Sequence, residues 1–123
     1  MSPSSYVQVK DLVIQTHIGA GEHGLAEQAI KQNIGVDIKV FFDGRQAAQS
    51  DQLIDTLDYA HLTSMIQSTA NEKPRHLLEN LAFDIAKTLF QTYSALQHID
   101  ISLEKYSVSS HRHVFRFNSQ FSK

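Results

Sequence analysis

The apolar positions near the start of the chain alternate with polar ones, which is the period of a β-strand. The first alternating stretch changes phase between Val9 and Leu12, and this shift predicts a strand with a bulge or bend near Asp11. The second stretch keeps a single phase and places five apolar side chains on one face: Ile34, Val36, Ile38, Val40 and Phe42. We therefore expect two strands, the second with one buried face and one more polar face.

The spacing of the apolar residues then changes to that of amphipathic helices. A first helix is predicted after Asp55 or Asp58, either of which can act as its N-cap, with the apolar stripe Leu62, Met65, Ile66 and Ala70. A second helix is predicted with Pro74 in its first turn, and it ends at the sequence QTYS. Its apolar stripe comprises Leu78, Leu81, Ile85 and Leu89.

The last part of the chain returns to the period of a strand. Ile99, Ile101 and Leu103 share one face, and Lys105 continues it. The stretch HVFRFN predicts a short final strand. The order is strand, strand, helix, helix, strand, strand, without an internal repeat or a linker. It indicates an α+β fold in a single domain that spans residues 1–123.

Composition excludes several classes of protein. Charged residues make up 20% of the 123 residues with a net charge of -2, and no run of Lys and Arg provides the basic surface that nucleic-acid binding requires. The chain has no cysteine, which excludes disulfides, thiolate nucleophiles and Cys-ligated zinc. The sequence has neither an apolar secretion signal nor an apolar run of about 18 residues. We therefore expect a cytoplasmic protein that binds neither nucleic acid nor a membrane.

Two charged residues stand in otherwise apolar rows. Lys105 ends the apolar face of its strand, and Glu79 heads a helical row that continues through Ala82, Phe83, Ala86 and Phe90. A carboxylate that faces a core is costly unless it is paired, so a ligand is a candidate partner for Glu79. Each residue also has a simpler interpretation, as a first-turn acid favoured by the helix dipole and as a lysine that extends past the sheet edge. A long loop with three glycines and two more acids joins the first two strands, and such loops often carry function.

Several short motifs occur in a characteristic order along the chain. They are the loop Gly19 … Glu27-Gln28 … Gln32, followed by IDTLDYAHL, HLLENLA and ISLEK. With these motifs the chain resembles the dihydroneopterin aldolase family of folate biosynthesis. The resemblance implies the tunnelling fold, a four-stranded antiparallel sheet with two helices on one face in the order β-β-α-α-β-β. It also implies that subunits close into a barrel, as a homo-tetramer or a stacked homo-octamer, with active sites between neighbouring subunits.

The resemblance further implies a reaction and the residues that carry it out. The substrate would be a pterin, 7,8-dihydroneopterin, cleaved by a retro-aldol reaction to 6-hydroxymethyl-7,8-dihydropterin and glycolaldehyde without a metal, a Schiff base or another cofactor. Glu79 would bind the pterin ring through its carboxylate. Lys105 would act as the base, Glu27 would orient it, and Tyr59 of an adjacent subunit would help to return the proton. Two leucines would cover the ring: Leu57 and Leu78.

The chain departs from the family pattern in two places. The interval from Gly19 to Glu27 is longer than usual by a few residues, so Glu22 competes with Glu27 for the role of the loop acid. The usual Lys-Pro is Lys105-Tyr106 here, and a short connection leads from it to the last strand. The lysine is therefore present, but the residues that follow it at the entrance of the predicted site differ from the family pattern.

Three other functions stay open for this sequence. A dihydroneopterin triphosphate 2'-epimerase shares the fold and sometimes lacks the Lys-Pro, and its phosphates could bind His111, Arg112 and His113. A zinc enzyme of the 6-pyruvoyltetrahydropterin synthase type would use the two histidines of that segment, but a third ligand is not evident and no cysteine nucleophile exists. A non-catalytic pterin-binding protein would keep the fold and lose turnover.

Overall fold

The computed structural model describes residues 5–21, 24–106 and 114–123 of the chain. Its elements in chain order are β1 (Ser5–His17), α1 (Gly24–Gln28), β2 (Lys31–Phe42), α2 (Arg45–Ser50), a 3-10 turn (Leu53–Asp55), α3 (Tyr59–Asn71), α4 (Leu78–Thr92), β3 (Leu96–Tyr106) and β4 (Val114–Ser122). The predicted order of two strands, two main helices and two strands is confirmed. The short helices α1 and α2 and the 3-10 turn are additions within the loops. None of the helices described is both long and apolar enough to cross a lipid bilayer.

The four strands form one antiparallel sheet in the order β1-β2-β3-β4. The register of β1 with β2 shifts between Val9 and Leu12, and Asp11 has a positive φ of 58°. The predicted bulge near Asp11 is therefore confirmed. β1 and β4 are the edges of the sheet, so each presents a row of backbone N–H and C=O groups that no strand described in this chain pairs.

The core lies between one face of the sheet and the helices α3 and α4. Alternate residues of β2 and β3 are buried against the helices: Ile34, Val36, Ile38, Val40, Phe42, Ile99, Ile101 and Leu103. The helices contribute fully buried side chains in return: Leu62, Ile66, Leu81, Ile85 and Leu89. Each such burial stabilises the fold by roughly 1.5–3 kcal/mol. The opposite face of the sheet carries polar residues, which include Asp37, Lys39, Asp100, Ser102 and Asn118.

The two main helices begin at different kinds of residue. Asp58 is the N-cap of α3, and its side chain accepts hydrogen bonds from the backbone N–H groups of Ala60 and His61. The placement of Pro74 in the first turn of the second helix is wrong, because α4 begins at Leu78. The segment around Pro74 is held away from helical geometry, since the next residue, Arg75, forms a β-bridge with the chain that follows β1.

Arg75 also connects the two helices through its side chain, which is only 1% exposed. The guanidinium donates hydrogen bonds to Asp84 Oδ2 on α4 at 3.0 Å and to the carbonyl of Thr69 at 3.0 Å. It also donates to the carbonyl of Ala70 at 3.4 Å. A cation at the carboxyl end of α3 is favoured by the helix dipole. The buried guanidinium thus has partners on both helices, and Arg75 fixes α3 relative to α4.

Candidate active site

Lys105 and Glu27 form an ion pair at one end of the sheet. Lys105 lies opposite Ile34 in the register of β2 and β3, so its side chain leaves from the helix-covered face. Glu27 belongs to α1, and Lys105 Nζ donates a hydrogen bond of 2.5 Å to Glu27 Oε2. The two side chains are 16% and 28% exposed, respectively. This short, charge-assisted bond fixes the ammonium in a partly buried place that still reaches water.

Gln32 holds the backbone of Glu27 in position. Its Nε2 donates to the carbonyl of Ile18 at 2.6 Å and to the carbonyl of Glu27 at 2.8 Å. These two bonds use both amide hydrogens. The other amide atom, Oε1, is a buried acceptor without a partner among the described residues. In the sequence, Gln32 served only as a family motif residue from which the loop is counted. Its contact with Glu27 is a feature that sequence reasoning missed.

The main chain of Arg75 joins two parts of the structure. One is the connection between β1 and β2 that carries Glu27, called the Glu27 loop below, and the other is the segment that leads into α4. Its N–H donates to the carbonyl of His17 at 3.0 Å, and its carbonyl accepts from the N–H of Gly19 at 3.0 Å. The same carbonyl accepts from Gln28 Nε2 at 3.0 Å. Because Gln28 directly follows Glu27, these bonds bring the loop acid close to the start of α4. No periodic pattern could have revealed Arg75, since it lies in an irregular segment between the helices.

Glu79 lies in the first turn of α4, close to this segment, and is solvent-exposed. The expectation that its carboxylate faces the core is therefore wrong for the single chain. The helical row that begins at Glu79 lies at the boundary between the buried and exposed faces of α4. Within that row Ala82 and Ala86 are buried, but Phe83 is 52% exposed. The positive end of the helix dipole stabilises an acid at this position, so the carboxylate needs no internal partner. Leu78, the preceding residue, is half-buried and packs against the core.

Tyr59 and Leu57 lie at the other end of the helix pair. Tyr59 is the first residue of α3 and is 66% exposed, whereas Leu57 is 3% exposed and belongs to the core. The 13 residues of α3 separate Tyr59 from the Arg75 end by about 18 Å of helix axis. A single chain therefore does not bring Tyr59 to Lys105, and the side chain of Leu57 is not exposed to a ligand in the single chain.

The first turn of α3 is held by the end of α4. His61 Nδ1 and the Tyr93 hydroxyl lie 2.8 Å apart. Burial of Tyr93, and then the negative charge of Asp58, raise the pKa of the Tyr93 hydroxyl above its usual value. Tyr93 therefore stays a neutral hydrogen-bonding group well above neutral pH, and it supports the turn that carries Tyr59.

Several residues considered in the sequence fall outside the described ranges: Glu22, His111, Arg112 and His113. Tyr106, which replaces the usual proline after Lys105, ends β3 and is 49% exposed. Within residues 5–21, 24–106 and 114–123, no group of three or more His, Asp or Glu side chains is arranged to hold a metal ion.

The Lys105 end of the sheet therefore joins an amine to a carboxylate, and the segment that leads to Glu79 contacts the same loop. An amine held by a carboxylate at the edge of water has the chemistry to move a proton. The exposed carboxylate of Glu79 at a helix start has the chemistry to accept two N–H bonds from a planar ring. Of the predicted site, the geometry joins Lys105 to Glu27 and places the Glu79 segment against the same loop, but it leaves Tyr59 apart.

Sequence comparison assigns the chain to a family. A sequence model described as FolB, dihydroneopterin aldolase, matches residues 7–116. Dihydroneopterin aldolase of Haemophilus influenzae is 32% identical over 99 residues, which cover 80% of this chain and 80% of that protein. Dihydroneopterin aldolase of Escherichia coli K12 is 30% identical over 89 residues, which cover 72% of this chain and 70% of that protein.

Structural comparison agrees with the sequence match. The crystal structure of E. coli dihydroneopterin aldolase in complex with neopterin superposes with a TM-score of 0.84 at 25% identity. The superposition covers 96% of this chain and 99% of that one. The chain therefore belongs to the dihydroneopterin aldolase family, and it is an enzyme of the aldehyde-lyase class.

Proposed function

We propose that the protein cleaves 7,8-dihydroneopterin by a retro-aldol reaction and releases 6-hydroxymethyl-7,8-dihydropterin and glycolaldehyde. The observation that carries this proposal is the contact of Lys105 Nζ with Glu27 Oε2, 2.5 Å apart, in a chain of this family. The neopterin bound to the E. coli relative supports a pterin as the substrate. The absence of cysteine is consistent with an enzyme of the cytoplasm.

The first step requires a base for the hydroxyl on the second carbon of the substrate side chain. In this proposal Lys105 Nζ first releases one proton to Glu27 or to water, and the neutral amine then accepts the hydroxyl proton, directly or through a water molecule. The oxygen forms the C=O of glycolaldehyde while the bond between the first and second side-chain carbons breaks. The released electron pair enters the conjugated C=N bond of the pterin ring, so the ring itself is the electron sink. Glu27 holds the ammonium that forms on Lys105.

The second step returns a proton to the first side-chain carbon and gives the hydroxymethyl product. Tyr59 of an adjacent subunit is the proposed participant in this transfer. The length of α3 supports a contribution from another chain, because Tyr59 lies about 18 Å along the helix from the end where α4 begins. The contact of His61 with Tyr93 supports a fixed position for the turn that presents Tyr59.

Glu79 is the proposed binding residue for the pterin ring. Its carboxylate would accept hydrogen bonds from the 2-amino group and from ring N3, which forms a charge-assisted pair. The exposed position of Glu79 at the start of α4 supports this role, since a ligand can reach it without opening the core. In the same proposal Leu78 packs beneath the ring, and Leu57 of the neighbouring subunit covers it.

We further propose that the chains close into a homo-tetrameric ring or a stacked homo-octamer. The open edges of β1 and β4 support this assembly, because ring closure would pair both of them.

One experiment distinguishes the candidate functions. The purified protein is incubated separately with 7,8-dihydroneopterin and with its triphosphate, and the products are identified by mass spectrometry and chromatography. We expect glycolaldehyde and 6-hydroxymethyl-7,8-dihydropterin from the wild type, and much less of both from Lys105→Ala. Epimerised triphosphate without cleavage would instead identify an epimerase. Equilibrium binding without any product would identify a pterin-binding protein.

A further inference from the structure

Phe115 is an exposed aromatic residue directly opposite Lys105. The two residues are partners in the register of β3 and β4. Directly opposed residues have Cβ atoms about 4.5–5.5 Å apart and share one face of the sheet. The ring of Phe115 therefore lies beside the stem of Lys105 on the helix side of the sheet. Phe115 is 58% exposed, whereas the Lys105 side chain is 16% exposed.

Helix α4 does not cover this part of β4. Its aromatic contact with the strand lies at the other end, where the rings of Phe83 and Phe121 are 6.5 Å apart. Phe121 is six residues beyond Phe115, which corresponds to about 20 Å along a strand. Among the described residues, α4 therefore leaves the surface next to Lys105 uncovered, and the exposed ring of Phe115 forms part of its wall.

Among the residues that the structure describes, the charges around this wall are paired with each other. The ammonium of Lys105 is balanced by Glu27 at 2.5 Å. The residues that precede Lys105 and follow Phe115, Glu104 and Arg116, form an ion pair with each other and lie on the opposite face of the sheet. A highly charged group placed beside Phe115 would lose part of its hydration against an apolar surface and would meet a lysine whose charge is offset.

We infer that Phe115 determines substrate specificity: its ring forms an apolar wall beside the side chain of the bound pterin and selects the unphosphorylated side chain over one that ends in a triphosphate. This inference rests on the proposed function, because it takes the substrate side chain to lie at Lys105. It assigns to Phe115 a role in choosing the substrate and none in the proton transfers.

The test measures kcat/KM for 7,8-dihydroneopterin and for its triphosphate with the wild type and with Phe115→Ser. We expect the wild type to prefer the unphosphorylated substrate, and the variant to lose about tenfold of that preference, in the usual range for a change in an apolar pocket. Phe115→Arg should increase kcat/KM for the triphosphate selectively, because a guanidinium binds phosphate. Val114→Ser is the matched control, since Val114 is 51% exposed on the same strand but faces the opposite side, paired with Tyr106.

Sedimentation of each variant checks that the assembly is retained. A packing or interface role for Phe115 would change kcat/KM for both substrates by the same factor, and this result would overturn the inference. A wild type that prefers the triphosphate would also overturn it. A wild type that cleaves neither substrate contradicts the proposed function itself, whereas cleavage with a constant preference in both Phe115 variants contradicts the specificity role alone.

Discussion

A mixture of two impaired variants tests whether Tyr59 and Glu79 reach one active site from two chains. One chain carries Tyr59→Phe and the other carries Glu79→Ala. In the proposed ring, the site of each chain uses its own Glu79 and the Tyr59 of a neighbour. A site formed between the two kinds of chain can therefore contain both an intact Glu79 and an intact Tyr59. A ring made of either variant alone contains no such site.

The expected recovery follows from the geometry of a closed ring. Each chain gives its Glu79 to one site and its Tyr59 to another, because Tyr59 lies about 18 Å of helix axis away from the end of α3 that leads towards α4. If equal amounts of the two chains assemble at random, about a quarter of the sites combine an intact Glu79 with an intact Tyr59. We therefore expect about a quarter of the wild-type activity above the sum of the two variants.

The assay is glycolaldehyde release by mixed rings, obtained by co-expression of the two chains with different affinity tags and two successive purifications. The matched control combines Glu79→Ala with Lys105→Ala. In the proposed ring, each site takes Glu79 and Lys105 from the same chain. Every site in this mixture therefore lacks one of the two residues, and mixing the two variants should restore no activity. Activity no greater than the sum of the separate variants, or a fully active monomer, would refute the shared site.

Three further predictions concern single residues. Lys105→Arg keeps a positive charge beside Glu27 but removes a group that can accept a proton. We therefore expect kcat to fall by about 100-fold, while the pterin Kd measured by calorimetry changes little. A near-normal kcat would show that Lys105 is not the base. Glu79→Ala should weaken pterin binding by at least about 2 kcal/mol, or about 30-fold in Kd, while the circular dichroism spectrum shows that the fold is retained. An unaltered Kd would contradict the binding role. The raised pKa of Tyr93 contributes stability that is present below its unfolded value of about 10 and is lost as the pH rises above it. The stability advantage of the wild type over Tyr93→Phe in urea unfolding should therefore narrow above about pH 10, and a constant difference would contradict the shift.

The strands and main helices could be predicted because their apolar periods are long and local. The side chains of β2 from Ile34 to Phe42 alternate without interruption, and Asp58 is a strong N-cap signal next to an apolar stripe. The start of α4 could not be predicted in the same way. Pro74 satisfies the local rule for a first turn, but the boundary is set by Arg75 through contacts with the end of β1 and with Asp84, and these contacts are distant in sequence.

The site was predictable only where a family motif linked distant positions. No local pattern connects Lys105 with Glu27, which are 78 positions apart, and the family resemblance supplied the pairing that the structure contains. The exposure of Glu79 depends on where the flank of α4 meets the sheet, which is a property of packing and not of the helix pattern. The position of Phe115 opposite Lys105 depends on strand register, which the short pattern of the last strand does not determine.

The contacts that hold the Glu27 loop have a consequence for dilution of the enzyme. All of these hydrogen bonds, including those of the Arg75 main chain, lie within one chain. A dissociated subunit therefore retains Lys105 paired with Glu27. Under the shared-site proposal, the group lost on dissociation is Tyr59 of the neighbour. Dilution would then remove the residue for the second proton transfer, while the residues for the first transfer stay in place. The specific activity would therefore depend on the fraction of chains that are in closed rings.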